Sequence, residues 1–200
     1  MIIHLFNATI VSGPETLVIP ALQSLSARME TSVEVWFLHE TRRAAESNRI
    51  IEYAKGFGLQ TRSFDVHSRW DPATIRALGD ALLDGMILHA HDVKASAYAR
   101  AAVLRQRRKN DFKVHLVSTH HGVRGRSGWK PRFYEWFYVR WVLRDFDRVL
   151  AVCSSDRALL IRRGLDAGRV VIHLNGVDRE ETVFSTAATN TASQCALPND

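Results

Sequence analysis

The chain predicts an α/β fold: a doubly wound, mostly parallel sheet of about seven strands with helices on both faces. Three observations carry this. Short apolar runs alternate with longer amphipathic stretches along most of the chain. Gly and Pro punctuate the joints where a strand should hand over to a helix. No segment recurs at a fixed period, which excludes a solenoid. Strand–helix–strand units of this kind cross over right-handedly, so their helices pack against the sheet.

Each element has its own signature. Ile2 to Phe6 is a continuous apolar run with one His, as in a central parallel strand. Asn7 to Glu15 is the loop it feeds. Pro14 suits the first turn of a helix, because its missing N–H has no partner there. Leu17, Val18, Ala21, Leu22 and Leu25 then recur at helical spacing. Val33 to Leu38 is a second strand. Arg42 to Lys55 is a second helix, with Ala44, Ala45, Ile50, Ile51 and Tyr53 as its inner side; Gly56 and Gly58 end it. Leu59 to Val66 alternates and reads as a strand nearer an edge. Asp71 and Pro72 open a third helix as N-cap and first residue, running to about Leu83. Met86 to Ala90 is a fourth strand. Lys94 to Arg108 is a helix with an alanine-rich face. Arg105, Arg107, Arg108 and Lys109 complement its dipole. Val114 to Val117 is a fifth strand, and a helix rich in aromatics starts at Pro131. Arg148 to Val152 and Val170 to Leu174 are the last strands. Between them Ser154 or Ser155 caps a helix that stops at Gly164. The expected domain is residues 1–178. Residues 179–200 lose all apolar periodicity and read as linker or tail.

Composition narrows the function classes. The hydrophobic content of 46% and charged content of 24% are those of an ordinary soluble globule. Two cysteines do not make a disulfide framework, which points to a reducing compartment. The N-terminus lacks the basic start and small-residue cleavage site of a signal peptide. No apolar run is long enough for a bilayer. The expected location is cytoplasmic, with peripheral attachment at the inner membrane face. The net charge of +6 is uneven: Lys94 to Arg169 holds 18 Lys and Arg against 6 Asp and Glu, a local +12. That excess suits an anionic partner, such as a phosphate-bearing substrate or a membrane surface. A solvated basic face is the plainer reading; no nucleic acid is expected.

The centre of the chain is Val114 to Asp147. Its strand empties into Ser118-Thr119-His120-His121-Gly122 and a basic loop dotted with Gly122, Gly125 and Gly128. Open α/β sheets bind ligands outside the carboxyl ends of their strands. Loops as long as this one are usually functional or disordered. Four loops should converge there: Ser12 to Glu15, His91-Asp92, Thr119 to Gly128, and Ser154-Ser155. Neither the dinucleotide fingerprint nor a P-loop occurs. Gly13 before a helix can still let a phosphate or sugar approach backbone N–H groups. His89-Ala90-His91-Asp92 lacks the further ligand a metal hydrolase needs, so no metal is expected. Of the aromatics Phe133, Tyr134, Trp136, Phe137, Tyr138, Trp141 and Phe146, most are expected in the core. The alternative is a helix lying on an anionic membrane with Lys130, Arg132, Arg140 and Arg144 beside them.

Thr119-His120-His121-Gly122, the aromatic helix after it, Arg148 to Ser155, and Asn175-Gly176-Val177-Asp178 together resemble glycosyltransferase family 4. So do Ser12-Gly13-Pro14-Glu15 and His89 to Lys94. The resemblance covers Met1 to about Asp178. It implies the N-terminal half of a GT-B fold, two Rossmann-like domains flanking a cleft. It implies a retaining transferase that moves a sugar from a nucleotide-sugar donor to a carbohydrate or lipid-linked acceptor, in glycan or polysaccharide biosynthesis. The nucleotide-sugar is a co-substrate, and no cofactor or obligatory metal is implied. His121 matches the family's histidine beside the transferred sugar, and His120 falls on a variable position. Gly13 and Glu15 match the loop that meets donor phosphates and acceptor. The implied set is His121 as catalytic residue, with Gly13, Glu15, His91, Lys94, Gly122, Arg124 and Ser155 binding substrate. Asn175 and Asp178 start the hinge. The family's donor-side Arg, Lys and E-x7-E elements do not occur. The expectation is therefore a first domain that lacks its donor-binding partner and is inactive alone. The competing class is a stand-alone module that uses the basic face on a membrane or anionic polymer.

Overall fold

The computed structural model describes residues 1–7, 11, 13–29, 31–108, 112–121, 133 and 136–174. All seven expected strands form: β1 (Ile2–Phe6), β2 (Val33–Glu40), β3 (Gln60–Val66), β4 (Ile87–Ala90), β5 (His115–His120), β6 (Arg148–Ala151) and β7 (Val170–Ile172). They make one sheet in the order β3-β2-β1-β4-β5-β6-β7, and every pairing is parallel. Order therefore reverses between β1 and β4, and that junction is the topological switch point.

The helices are α1 (Gly13–Arg28), α2 (Ala44–Gly56), α3 (Pro72–Ala81), α4 (Val93–Arg107), a segment α5 (136–145) and α6 (Ser154–Arg162). One face of β1 to β3 packs on α1 and α2 through Phe6, Ile19, Leu22, Val35, Phe37 and Ile50. The other face carries the larger core, from Trp36 and Phe64 through Tyr98 to Val139, Phe146 and Leu160. Asp71 caps α3 as expected, its carboxylate accepting from the N–H groups of Ala73 and Thr74. Gly164 ends α6 at φ +100°, where a side chain would be strained.

Four local expectations need correction. In α1 the fully buried apolar residues are Ile19 and Leu22, while Ala21 is exposed, and Glu15 is buried with them. Pro20 inside that helix also withholds an N–H from the carbonyl one turn back. In α2, Ser47 and Ala54 join Ile50 and Ile51 inside, and Ala45 faces out. The residue at the N-cap of α6 is Cys153, without a side-chain capping bond; Ser154 and Ser155 are already helical. Strand β5 runs three residues further than its apolar run, because Ser118, Thr119 and His120 are buried in the sheet. Pro131 and the tail from Asn175 lie outside the described residues.

Candidate functional site at the switch point

Period-2 alternation puts His4 on the same sheet face as its β4 partner His89. His91 and Thr119 continue that face at the ends of β4 and β5. The result is a stack of rings. Phe6 lies 4.2 Å from His91 and within 4° of parallel, and His89 lies 4.2 Å from His91 on centroids. His4 Nδ1 and His91 Nε2 share a hydrogen bond of 2.8 Å, and His89 Nε2 meets Thr119 Oγ1 at 2.7 Å. His121, just past β5, stacks towards His91 at 6.2 Å. Neighbouring residues of a strand point to opposite sides, so His120 lies on the other face and stacks on Tyr138 at 6.3 Å.

These imidazoles are held neutral. Burial lowers His4 to a pKa of about 4. Burial, reinforced by the neighbouring imidazoles, drives His89 and His91 well below the ordinary value. His121 is also lowered, mainly by burial; the Glu15 carboxylate opposes that shift. Glu15 is buried in the first turn of α1, so it brings a negative charge to the edge where His121 sits. The loops are tied by Asp92. Its carboxylate accepts from the Asn7 N–H at 2.7 Å and from the Ala95 N–H at 2.8 Å, clamping the end of β1 to the start of α4. Burial raises the Asp92 pKa against those bonds.

The side-chain nitrogens of His4, His89 and His91 lie within 4.8 Å of one another. His4 and His91 stack at 20° between planes, whereas His89 is tilted by 32° to His91 and by 48° to His4. Two of those nitrogens, His4 Nδ1 and His91 Nε2, already bond each other. The arrangement is a desolvated cluster of imidazoles at the strand ends. Gly13 starts α1 beside that edge, and a Cβ there would meet nothing within 4 Å among the described residues.

The model of the family described as "Glycosyltransferase Family 4" matches residues 11–181. The chain belongs to glycosyltransferase family 4. No curated protein matches it. Among solved structures it is similar to Anabaena HepE in complex with UDP and glucose, at a TM-score of 0.65 and 15% identity; 89% of this chain and 45% of that one align. The lipopolysaccharide outer core galactosyltransferase WaaB gives 0.60 and 15%, over 89% and 46%. UDP-N-acetylglucosamine 2-epimerase from Rickettsia bellii gives 0.57 and 16%, over 87% and 44%. At these identities the likeness establishes the GT-B half-fold alone, and the presence of an epimerase shows that fold does not choose the chemistry. The chain spans less than half the length of each.

Within this family 4 domain the expected residues divide. Gly13, Glu15, His91 and His121 gather around the switch point. Lys94 is on α4 but ion-paired: its Nζ lies 2.8 Å from Glu40 Oε1 at the end of β2, over the Tyr98 ring. Ser155 sits in the first turn of α6, just after β6, its hydroxyl 3.0 Å from Cys153 Sγ. Gly122, Arg124, Asn175 and Asp178 lie outside the described residues. Sequence reading missed His4 and Asn7, and named Asp92 only as part of the His91-Asp92 loop. The available signal was period-2 alternation: pairing β1 with β4 aligns Ile2, His4 and Phe6 with Ile87, His89 and His91.

Proposed function

We propose that this chain is the acceptor-side half of a retaining glycosyltransferase that moves a sugar from a nucleotide-sugar to an acceptor, with the nucleotide-sugar as its only co-substrate. The observation that carries the reading is the convergence of Glu15, His91 and His121 at the switch point, with His121 kept neutral. Retention through front-face departure builds positive charge at the anomeric carbon while the leaving phosphate takes the acceptor proton. An imidazolium beside that carbon would repel it. A neutral ring can instead bond a sugar hydroxyl and present its electron-rich face. Glu15 adds a fixed negative charge on the same side, of the sign that favours the developing cation. In this reading the donor diphosphate is gripped chiefly by a second domain.

The test is calorimetry of residues 1–200 against UDP-, GDP- and ADP-sugars. Weak or undetectable binding is expected, because the groups that hold a diphosphate are not among those gathered here. Sub-micromolar binding by this chain would sink the division of labour.

A further inference from the structure

Segment α5 turns its aromatic residues outward. Phe133, ahead of it, and Trp136, Phe137 and Trp141 within it are 60, 39, 45 and 50% exposed. The expectation that most of these aromatics are core is therefore overturned. Only Tyr138 and Phe146 of the described ones are buried. The cause is local. A π turn at Tyr138–Val142 widens the helix, and Tyr138, Val139 and Leu143 fill the core side. What remains outside pairs off, Phe133 with Trp136 at 5.8 Å and Phe137 with Trp141 at 6.2 Å.

Arginines are interleaved on the same surface. Arg140 and Arg144 are exposed, and the Arg169 guanidinium donates to the Arg144 carbonyl at 3.2 Å, which places a third cation beside them. Among the described residues of α5 the acid is Asp145, engaged by Arg100 at 2.6 Å and by Arg144 at 3.8 Å. The patch thus offers bulky aromatic rings with arginine heads among them. Exposed apolar patches of this kind mark interaction surfaces. Aromatic rings at headgroup depth, with long cations reaching past them to lipid phosphate, are what an interfacial helix presents to a bilayer.

We infer that α5 docks the domain on an anionic lipid surface. This does not rest on the transferase reading; it adds to that reading a position at the membrane, where a lipid-linked acceptor would be presented.

The experiment is co-sedimentation of residues 1–200 with vesicles of phosphatidylcholine alone or with phosphatidylglycerol, at low and high salt. Binding to the anionic vesicles at low salt is expected, weakened by salt. Each well-placed arginine near such a surface contributes roughly fivefold. Arg140→Glu with Arg144→Glu should therefore lose at least about 25-fold in affinity. Trp136→Ser with Trp141→Ser should also lose binding, with the melting temperature unchanged because both residues are exposed. Quenching of tryptophan fluorescence by brominated acyl chains in the unmodified chain gives a readout that needs no variant. Absence of binding, equal binding to neutral and anionic vesicles, absence of quenching, or a dimer abolished by the tryptophan substitutions would each overturn the proposal. The calorimetry above can fail without touching it.

Discussion

On one side of β5, Ser118 meets Ser96 at 3.0 Å and Ser96 meets the Tyr138 hydroxyl at 3.1 Å. The Ser96 hydroxyl donates to the Asp92 carbonyl at 2.8 Å, so it must accept from both of the others. That cluster is buried under α4 and α5 with its bonds made. On the other side, His4, His89, His91 and His121 are also sheltered, yet His4 Nε2, His91 Nδ1 and His121 Nε2 have no hydrogen-bond partner among the described residues. One strand thus separates two polar clusters of similar depth. A buried polar group left without a partner costs about 1–3 kcal/mol. The serine–tyrosine cluster holds α4 and α5 to the sheet. The imidazole cluster lies instead at the switch point. The difference teaches that burial of polar groups does not by itself mark a site; their place at the strand-end edge does.

The largest expected effect is the response to acid. His4 has a folded pKa of about 4 against an ordinary 6.5. Between those values the unfolded chain holds a proton that the folded chain does not. The stability contribution is complete above pH 6.5 and falls as pH drops towards 4, by about 3 kcal/mol for this group. His89 and His91 shift in the same direction, so they add to the loss. Urea unfolding between pH 7 and pH 4.5 measures it. His4→Phe should flatten the slope between pH 6.5 and 5. A slope unchanged in that variant would show that the stack is not what titrates.

Next is the contrast between adjacent histidines. In a transferase carrying this domain, His121→Ala should cut kcat roughly 100-fold or more, as removal of an oriented polar group at a charge-developing centre does. It should cost about 1 kcal/mol or less in stability, since a half-buried edge residue leaves no core cavity. His120→Ala should do the reverse. That ring is 3% exposed and packed on Tyr138, so truncation opens a core hole costing about 2–3 kcal/mol. Activity per folded molecule should change little. Rates and melting temperatures for both variants decide it. If His120→Ala loses the chemistry and His121→Ala loses the fold, the two sides of β5 have been assigned the wrong way round.

Why the sequence revealed one side and not the other follows from how each is made. The seven strands and their order of appearance were legible because six are apolar runs and β3 alternates, with turn or capping residues such as Asp71-Pro72 marking where helices begin. His121 and Glu15 were legible through family resemblance in local motifs. His4 was not, because its meaning depends on pairing with His89, 85 residues away, and nothing local distinguishes it from any histidine in an apolar strand. The face of α5 was misjudged for a related reason. Large aromatic rings in a helix read as core by residue type alone, and the local sequence does not show the π turn at Tyr138–Val142 that alters which residues point inward. Local pattern reads elements well; it reads faces poorly where the helix departs from its ordinary period.

The smallest expected effect tests how finely the histidine side is tuned. Glu15 is the one group that opposes the lowering of the His121 pKa. Glu15→Gln keeps the shape of the side chain and removes the charge. Burial is then unopposed, so the His121 pKa should move further down, by a fraction of a unit at most if the charge acts through partly solvated space. Because His121 is already neutral at pH 7, its protonation there should hardly change, and the pH 7 rate should fall only through loss of the negative charge facing the anomeric carbon. Stability should drop by about 0.3–1 kcal/mol, since an acid in the first turn of α1 complements the helix dipole. An NMR titration of the His121 ring protons in both forms gives the answer, and resonances across β5 should stay put. A His121 pKa that rises in Glu15→Gln would mean that the carboxylate does not face the ring. Glu15 would then belong to the packing of α1, and the site would consist of the imidazoles alone.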